Sequence, residues 1–166
     1  MKNPKLFDKL TIILLIAIAV CLFFGVKSCK ADVLSIAQSE IGRGESIGNN
    51  CGSDIRRYLR GQEGLPWCAG FVSYCLKKSG VNTRYTLRAR DYLTLGKKVQ
   101  NPQPGDIAVF SRGQGSGHVG IVEKVSGPSI VTIEGNTGKF PSKVKRITYK
   151  SKPRNLLGYV RLAKAK

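Results

Sequence analysis

Histidine is almost missing from this chain: one, His118, stands among 166 residues. Acidic residues are scarce as well, ten against 28 lysines and arginines, for a net charge of +18. No cysteines come in a close C-x-x-C pair. Cys51, Cys68 and Cys75 are separated by sixteen and six residues. One distant histidine and no close pair argue against structural zinc. Phosphate-binding loops, dinucleotide fingerprints and paired-carboxylate patterns are absent too. Neither a cofactor nor a metal is therefore expected.

The shortage of acid bears on partners. A surface this basic favours polyanions. No nucleic-acid motif accompanies the charge, so nucleic acid is not expected. Anionic cell-envelope surfaces remain: membrane lipid, lipopolysaccharide, teichoic polymers and peptidoglycan. A merely soluble basic surface is the plain alternative.

Charge is missing altogether from residues 10–26, "LTIILLIAIAVCLFFGV", where only Thr11 is polar. Lys2, Lys5 and Lys9 precede this run and Lys27 ends it. Seventeen residues is long for a signal-peptide core and short for a membrane span. A cleaved signal peptide, an uncleaved anchor and a lipoprotein at Cys29 all fit; Lys27 disfavours the last. The basic flank favours an N-in orientation. Residues 1–30 are thus expected to be a signal peptide or anchor in contact with the inner membrane through 10–26. Residues 31–166 are expected to form one exported domain, periplasmic or extracellular. That domain keeps 23 basic and nine acidic residues, net +14.

Helical spacing of Val33, Leu34, Ile36, Ala37 and Ile41 predicts a first helix ending at Gly42. "SDIRRYLR" predicts a short helix capped by Ser53. "PWCAGFVSYCLKKSG" predicts a third, with Pro66 at or just before its first turn, Lys77 and Lys78 in its last and Gly80 as its stop. "TLRARDYLTLG" predicts a fourth. After "NPQPGD" the pattern turns to short β-branched runs at 106–110, 118–125, 129–136, 143–149 and 157–163. Helices first and strands after predict an α+β domain with an antiparallel sheet.

Cys68 falls in the first turn of the predicted third helix. Open backbone N–H groups and the positive end of the helix dipole favour a thiolate there. They also supply donors for an oxyanion. A buried core residue or half of a disulfide suits the position equally well. Thiolate acyl transfer needs a base, usually histidine, oriented by a third group. His118 follows Gly113, Gly115 and Gly117 and precedes Gly120, an arrangement that keeps bulk away from the ring. In "IEGN", Glu134 and Asn136 alternate with their neighbours and so share a strand face. A strand pairing with that of His118 brings either one beside the imidazole; a polar strand end is the plainer reading.

"PWCAGFVSYCLKKSGV", "NPQPGDIAVF", "GHVGIVEKV" and "IEGN", in that order, resemble the CHAP family of cysteine, histidine-dependent amidohydrolases/peptidases. These are papain-like hydrolases related to the NlpC-type wall peptidases. The resemblance covers roughly residues 32–162. It implies a papain-like core, helices on an antiparallel sheet with the nucleophile opening a helix. It implies Cys68 as nucleophile, His118 as its base, Glu134 as the group that orients or polarises His118, and Asn136 in support. Gln62 is a candidate oxyanion donor by the same resemblance, and Asp106 reads as structural. The implied substrate is an amide bond of peptidoglycan, cut by an N-acetylmuramoyl-L-alanine amidase or an endopeptidase. Lysis, wall remodelling and antibacterial attack are all uses of such an enzyme. Cys51 and Cys75 have no family role; in an oxidising compartment they are free to pair. Two further readings are an amidohydrolase or acyltransferase on a non-wall substrate and a non-catalytic basic envelope-binding module.

Overall fold

The computed structural model describes residues 32–163. The apolar run at 10–26, with Cys21 and Cys29, lies outside them. Among the described residues no helix is long and apolar enough to cross a membrane.

Three helices lead: α1 (Val33–Ser39), α2 (Ser53–Tyr58) and α3 (Cys68–Lys78). A 3-10 turn at Ala89–Asp91 runs into the single-turn α4 (Tyr92–Leu95). Six strands follow: β1 (Lys97–Val99), β2 (Ile107–Ser111), β3 (Gly117–Ser126), β4 (Ser129–Thr137), β5 (Lys143–Tyr149) and β6 (Leu156–Arg161). They form one antiparallel sheet in the order β1-β6-β2-β3-β4-β5. The α+β layout expected from the pattern is the one adopted.

Alternation along the strands sorts side chains onto two faces. Ile107, Val109, Val119, Ile121, Ile133 and Val160 join Ile55, Phe71, Val72 and Leu76 of the helices in the main core. Burying each such side chain contributes about 1.5–3 kcal/mol. Ala108, Phe110, Val122, Ile130 and Tyr159 form a smaller cluster on the other face, against Val99, Tyr149 and Leu156. Helix α3 is buried almost all round, Cys68 to Ser73 without a break and then Cys75 and Leu76, with Lys77 and Lys78 exposed in its last turn.

Three local expectations are corrected. Ser53 does not cap α2; it is the first helical residue, and the cap position is Gly52 at φ 128°, with no side-chain bond. The fourth helix shrinks to residues 89–95 because its first half is pinned from outside. The Ser73 hydroxyl accepts from the Thr86 N–H at 3.0 Å and donates to the Thr86 carbonyl at 2.9 Å. The Arg88 N–H then bonds Thr86 Oγ1 at 3.0 Å, which holds 86–88 out of a helix. Strand β1 is new: three residues without alternation, placed by pairing Lys97–Val99 with Tyr159–Arg161.

Asp106, 3 % exposed, ties the sheet's entry to its exit. Its carboxylate accepts from Arg161 Nε and Nη2 at 2.8 and 2.7 Å and from the Gln103 N–H at 2.7 Å. That is the structural part its position before β2 predicts.

Candidate active site

Residue 68 opens α3. Trp67 occupies the cap position with φ −116°, ψ 8°, and no side chain caps the helix. The first-turn amides, Cys68 N–H among them, therefore have no partner within the helix. The Cys68 side chain sits at their mouth, 6 % exposed. Cys75, two turns on, is fully buried, and burial pushes its thiol well up. Cys51, Cys68 and Cys75 are all free thiols, so the pairing open to Cys51 and Cys75 is not made.

What holds Trp67 holds Cys68. The indole stacks on Tyr58 with centroids 5.5 Å apart. Its Nε1–H donates to Glu45 Oε1 at 3.2 Å. Glu45 is itself buried and accepts from the Asn50 N–H at 3.0 Å and the Ser142 N–H at 2.7 Å. Gly135 of β4 also lies against the ring; a Cβ there would lie 2.5 Å from the indole Cζ3. Absence of a side chain at residue 135 is thus what lets α3 seat on β4.

His118 lies near the start of β3, paired with Phe110 across β2. Gly120 pairs with Glu134 across β4. His118 Nε2 and Glu134 Oε2 are 2.7 Å apart, both side chains almost fully buried. An ionised carboxylate only accepts, so Nε2 carries the hydrogen. Nδ1 is then the atom free for chemistry; it is buried without a hydrogen-bond partner. Cys68 makes no hydrogen bond to this ring, but it lies near enough to influence it. Burial would lower the His118 pKa, but interactions with Cys68 and Glu134 more than offset it and raise the value.

Glu134 is held by more than His118. Its second oxygen, Oε1, accepts from Thr132 Oγ1 at 2.6 Å and Tyr149 OH at 2.9 Å. Burial would push this carboxyl up, yet His118, Thr132 and Tyr149 hold it below the usual carboxylate range. Burial and the Glu134 charge push the Tyr149 hydroxyl up, which keeps it a donor. Tyr149 also stacks on Phe110, which lies against the His118 ring, with centroids 5.2 and 6.1 Å apart. Thr132 and Tyr149 are positioning residues that sequence reasoning missed. Thr132 was findable, since it alternates with Glu134 on β4. Tyr149 depends on the β4–β5 register, which places it opposite Ile130, from where its long side chain reaches along β4 to Glu134.

The glycines near His118 act differently from the expectation that they clear space round its ring. Gly120 makes room for Glu134, whose Cγ would lie 2.6 Å from a Cβ there. Gly117 makes room for Arg90 and Ala89. Gly113 and Gly115 shape the turn, with φ 79° and 77°.

His118 and Glu134 are joined directly, and Cys68 lies near enough to the His118 ring to influence it. The structure treats Asn136 and Gln62 differently. The β4–β5 register shifts between Glu134 and Thr137, and Asn136 takes φ 55°. That bulge breaks the alternation which puts Asn136 on the Glu134 face. Its carbonyl accepts from Arg112 Nη2 at 3.5 Å. Gln62 is exposed on the loop before α3, where its N–H bonds the Leu59 carbonyl at 3.3 Å. The loop itself is anchored, as the Gly52 N–H donates to Glu63 Oε1 at 2.6 Å and the Gly64 N–H to the Asn50 carbonyl at 2.9 Å.

The chain is similar to known proteins in three comparisons. Residues 60–136 match the CHAP domain family, a span that runs from the loop before Cys68 to Asn136. A protein described as probable endopeptidase p60, from Listeria seeligeri, is 30% identical over 89 residues. The aligned stretch is 54% of this chain and 15% of that protein. A Staphylococcus aureus crystal structure described as similar to lipoprotein, NLP/P60 family, superposes with a TM-score of 0.47 at 13% identity. It covers 87% of this chain and 48% of that one.

Proposed function

We propose that this chain, which matches the CHAP domain over residues 60–136, is an exported hydrolase of peptidoglycan amide bonds. One observation carries the reading: a free thiol at an uncapped helix mouth lies near the one histidine, whose Nε2 sits 2.7 Å from a buried carboxylate. The likeness to a probable endopeptidase supports a bond within the stem or bridge peptides over the sugar–peptide link. The basic composition suits an anionic wall, and the apolar run at 10–26 after three lysines suits export.

The chemistry follows from the atoms. The Cys68 proton moves to His118 Nδ1. Sγ then forms a bond to the amide carbonyl carbon, and the carbonyl π pair moves to oxygen. The Cys68 N–H at the helix mouth faces that developing charge. His118 Nδ1–H passes its proton to the departing nitrogen as the C–N bond breaks. A thioester and a free amine result. Water then attacks the thioester, His118 takes one of its protons, and the C–S bond breaks to return the thiol. Glu134 keeps Nε2–H fixed throughout and steadies the imidazolium.

Purified wall sacculi incubated with the full chain are expected to release soluble fragments with new amino groups. Mass spectrometry should place these on internal residues of the stem or bridge. Free amino groups only on the alanine that was joined to the sugar lactyl group would move the assignment to the amidase. Release of no amino group would overturn the hydrolase reading.

A further inference from the structure

The sheet face that carries His118 and Glu134 also holds a groove that the proposed chemistry does not use. Along β4, Ile130, Thr132 and Glu134 alternate onto one face. Ile130 lies four residues from Glu134, roughly 13 Å along the strand. There it forms part of the floor of an open groove of about 860 Å³, with Val99, Leu156 and Tyr159. Lys98 and Lys152 also line it, and no aspartate or glutamate does. Gln100 and Asn101 add side-chain amides.

We infer that this groove binds a glycan strand of the wall polymer, away from the bond being cut. The inference rests on the peptidoglycan reading above. The chemistry is complementary on three counts. An N-acylated sugar presents methyl groups and apolar ring faces, which suit Val99, Leu156 and Tyr159. Its hydroxyl and amide groups suit Gln100 and Asn101. Its peptide substituents carry carboxylates, which suit two lysines with no competing acid among the lining residues. The groove supplies what the catalytic end lacks. Cys68 and His118 are 6 % and 4 % exposed, so the catalytic pair offers little contact area of its own. A second contact on the sheet face of His118 and Glu134 raises the effective concentration of peptide at Cys68.

The test uses the full chain and sacculi stripped of phosphate-containing secondary polymers. Lys98 and Lys152 are exposed, so the double variant Lys98→Glu/Lys152→Glu keeps its core. It is expected to bind the sacculi about tenfold more weakly, with cleavage of a small soluble wall peptide unchanged. Lys77→Glu/Lys78→Glu, on the last turn of α3, makes the same change in net charge and is expected to bind as the parent does. Parent-like binding by the groove variant would overturn the inference. So would equal losses in both variants, since net charge alone then governs binding. Parent binding that disappears once the phosphate polymers are stripped would overturn it in favour of those polymers. Failure of the catalytic reading looks different: the parent would leave the soluble peptide uncut while the two variants still differed in binding.

Discussion

Cys68→Ala is expected to bring amino-group release from wall sacculi down to background, a fall on the order of 10⁴ or more. The size follows from the role. Without Sγ no thioester forms, and the open amides and His118 are left with only water to activate. The fold should survive, because the side chain lost is small and sits at the edge of the core. The other cysteines make the internal control. Cys75→Ala should leave activity near the parent's and lower stability by about 1–3 kcal/mol, because it empties a fully buried position. Cys51→Ser should leave both nearly unchanged, since Cys51 is half-buried in a loop. Comparable loss of activity in Cys68→Ala and Cys75→Ala, at equal folded fraction, would mean that packing of α3 and no particular thiol sets the rate.

Gly135→Ala is expected to have the second largest effect, and it touches no reacting atom. The added methyl would lie 2.5 and 2.9 Å from two indole carbons of Trp67 and 3.1 Å from Phe71 Cβ. Trp67 has no room to retreat. It is fully buried, stacked on Tyr58 and bonded to Glu45. Either β4 moves, carrying Glu134, or the mouth of α3 moves, carrying Cys68. Overpacking of this kind costs about 1–3 kcal/mol. A shift of about 1 Å between the two halves of the site costs roughly a hundredfold in rate. Denaturant midpoints and turnover, measured on the same samples, separate the two effects. Parent-like values for both would mean that α3 and β4 are not packed this closely.

The Gly135–Trp67 contact also shows where the information in the amino-acid pattern ends. "PWC" and "IEGN" were legible as a helix mouth and a polar strand end. Alternation put Glu134 within reach of His118 and gave four of the six strands almost at their observed bounds. What alternation lacks is register and breaks in register. It aligned Asn136 with Glu134, whereas the bulge turns the backbone between them. It had no means of choosing Tyr149 as a partner for Glu134, because that choice depends on how β5 slides along β4. Glu45 was invisible for a related reason: its three donors come from Asn50, Trp67 and Ser142, which only the fold brings together. The fourth helix failed because Ser73, thirteen residues away, holds Thr86.

Glu134 has a lowered pKa in the fold, so its contribution to stability is complete above the ordinary carboxylate range. It is lost as pH falls through the lowered value. His118 has a raised value, so its contribution is complete below about pH 6.5 and is lost as pH rises through the raised one. Cys68 and Glu134 are the groups that raise it, against burial. A chain with one histidine makes this directly observable, because its imidazole signals all come from His118. NMR titration of the imidazole in the parent and in Cys68→Ala is therefore the decisive measurement. The midpoint is expected above 6.5 in the parent and lower once the thiol is removed. A midpoint that is the same in both proteins would contradict a catalytic Cys68–His118 pair, because the two would then not share a proton.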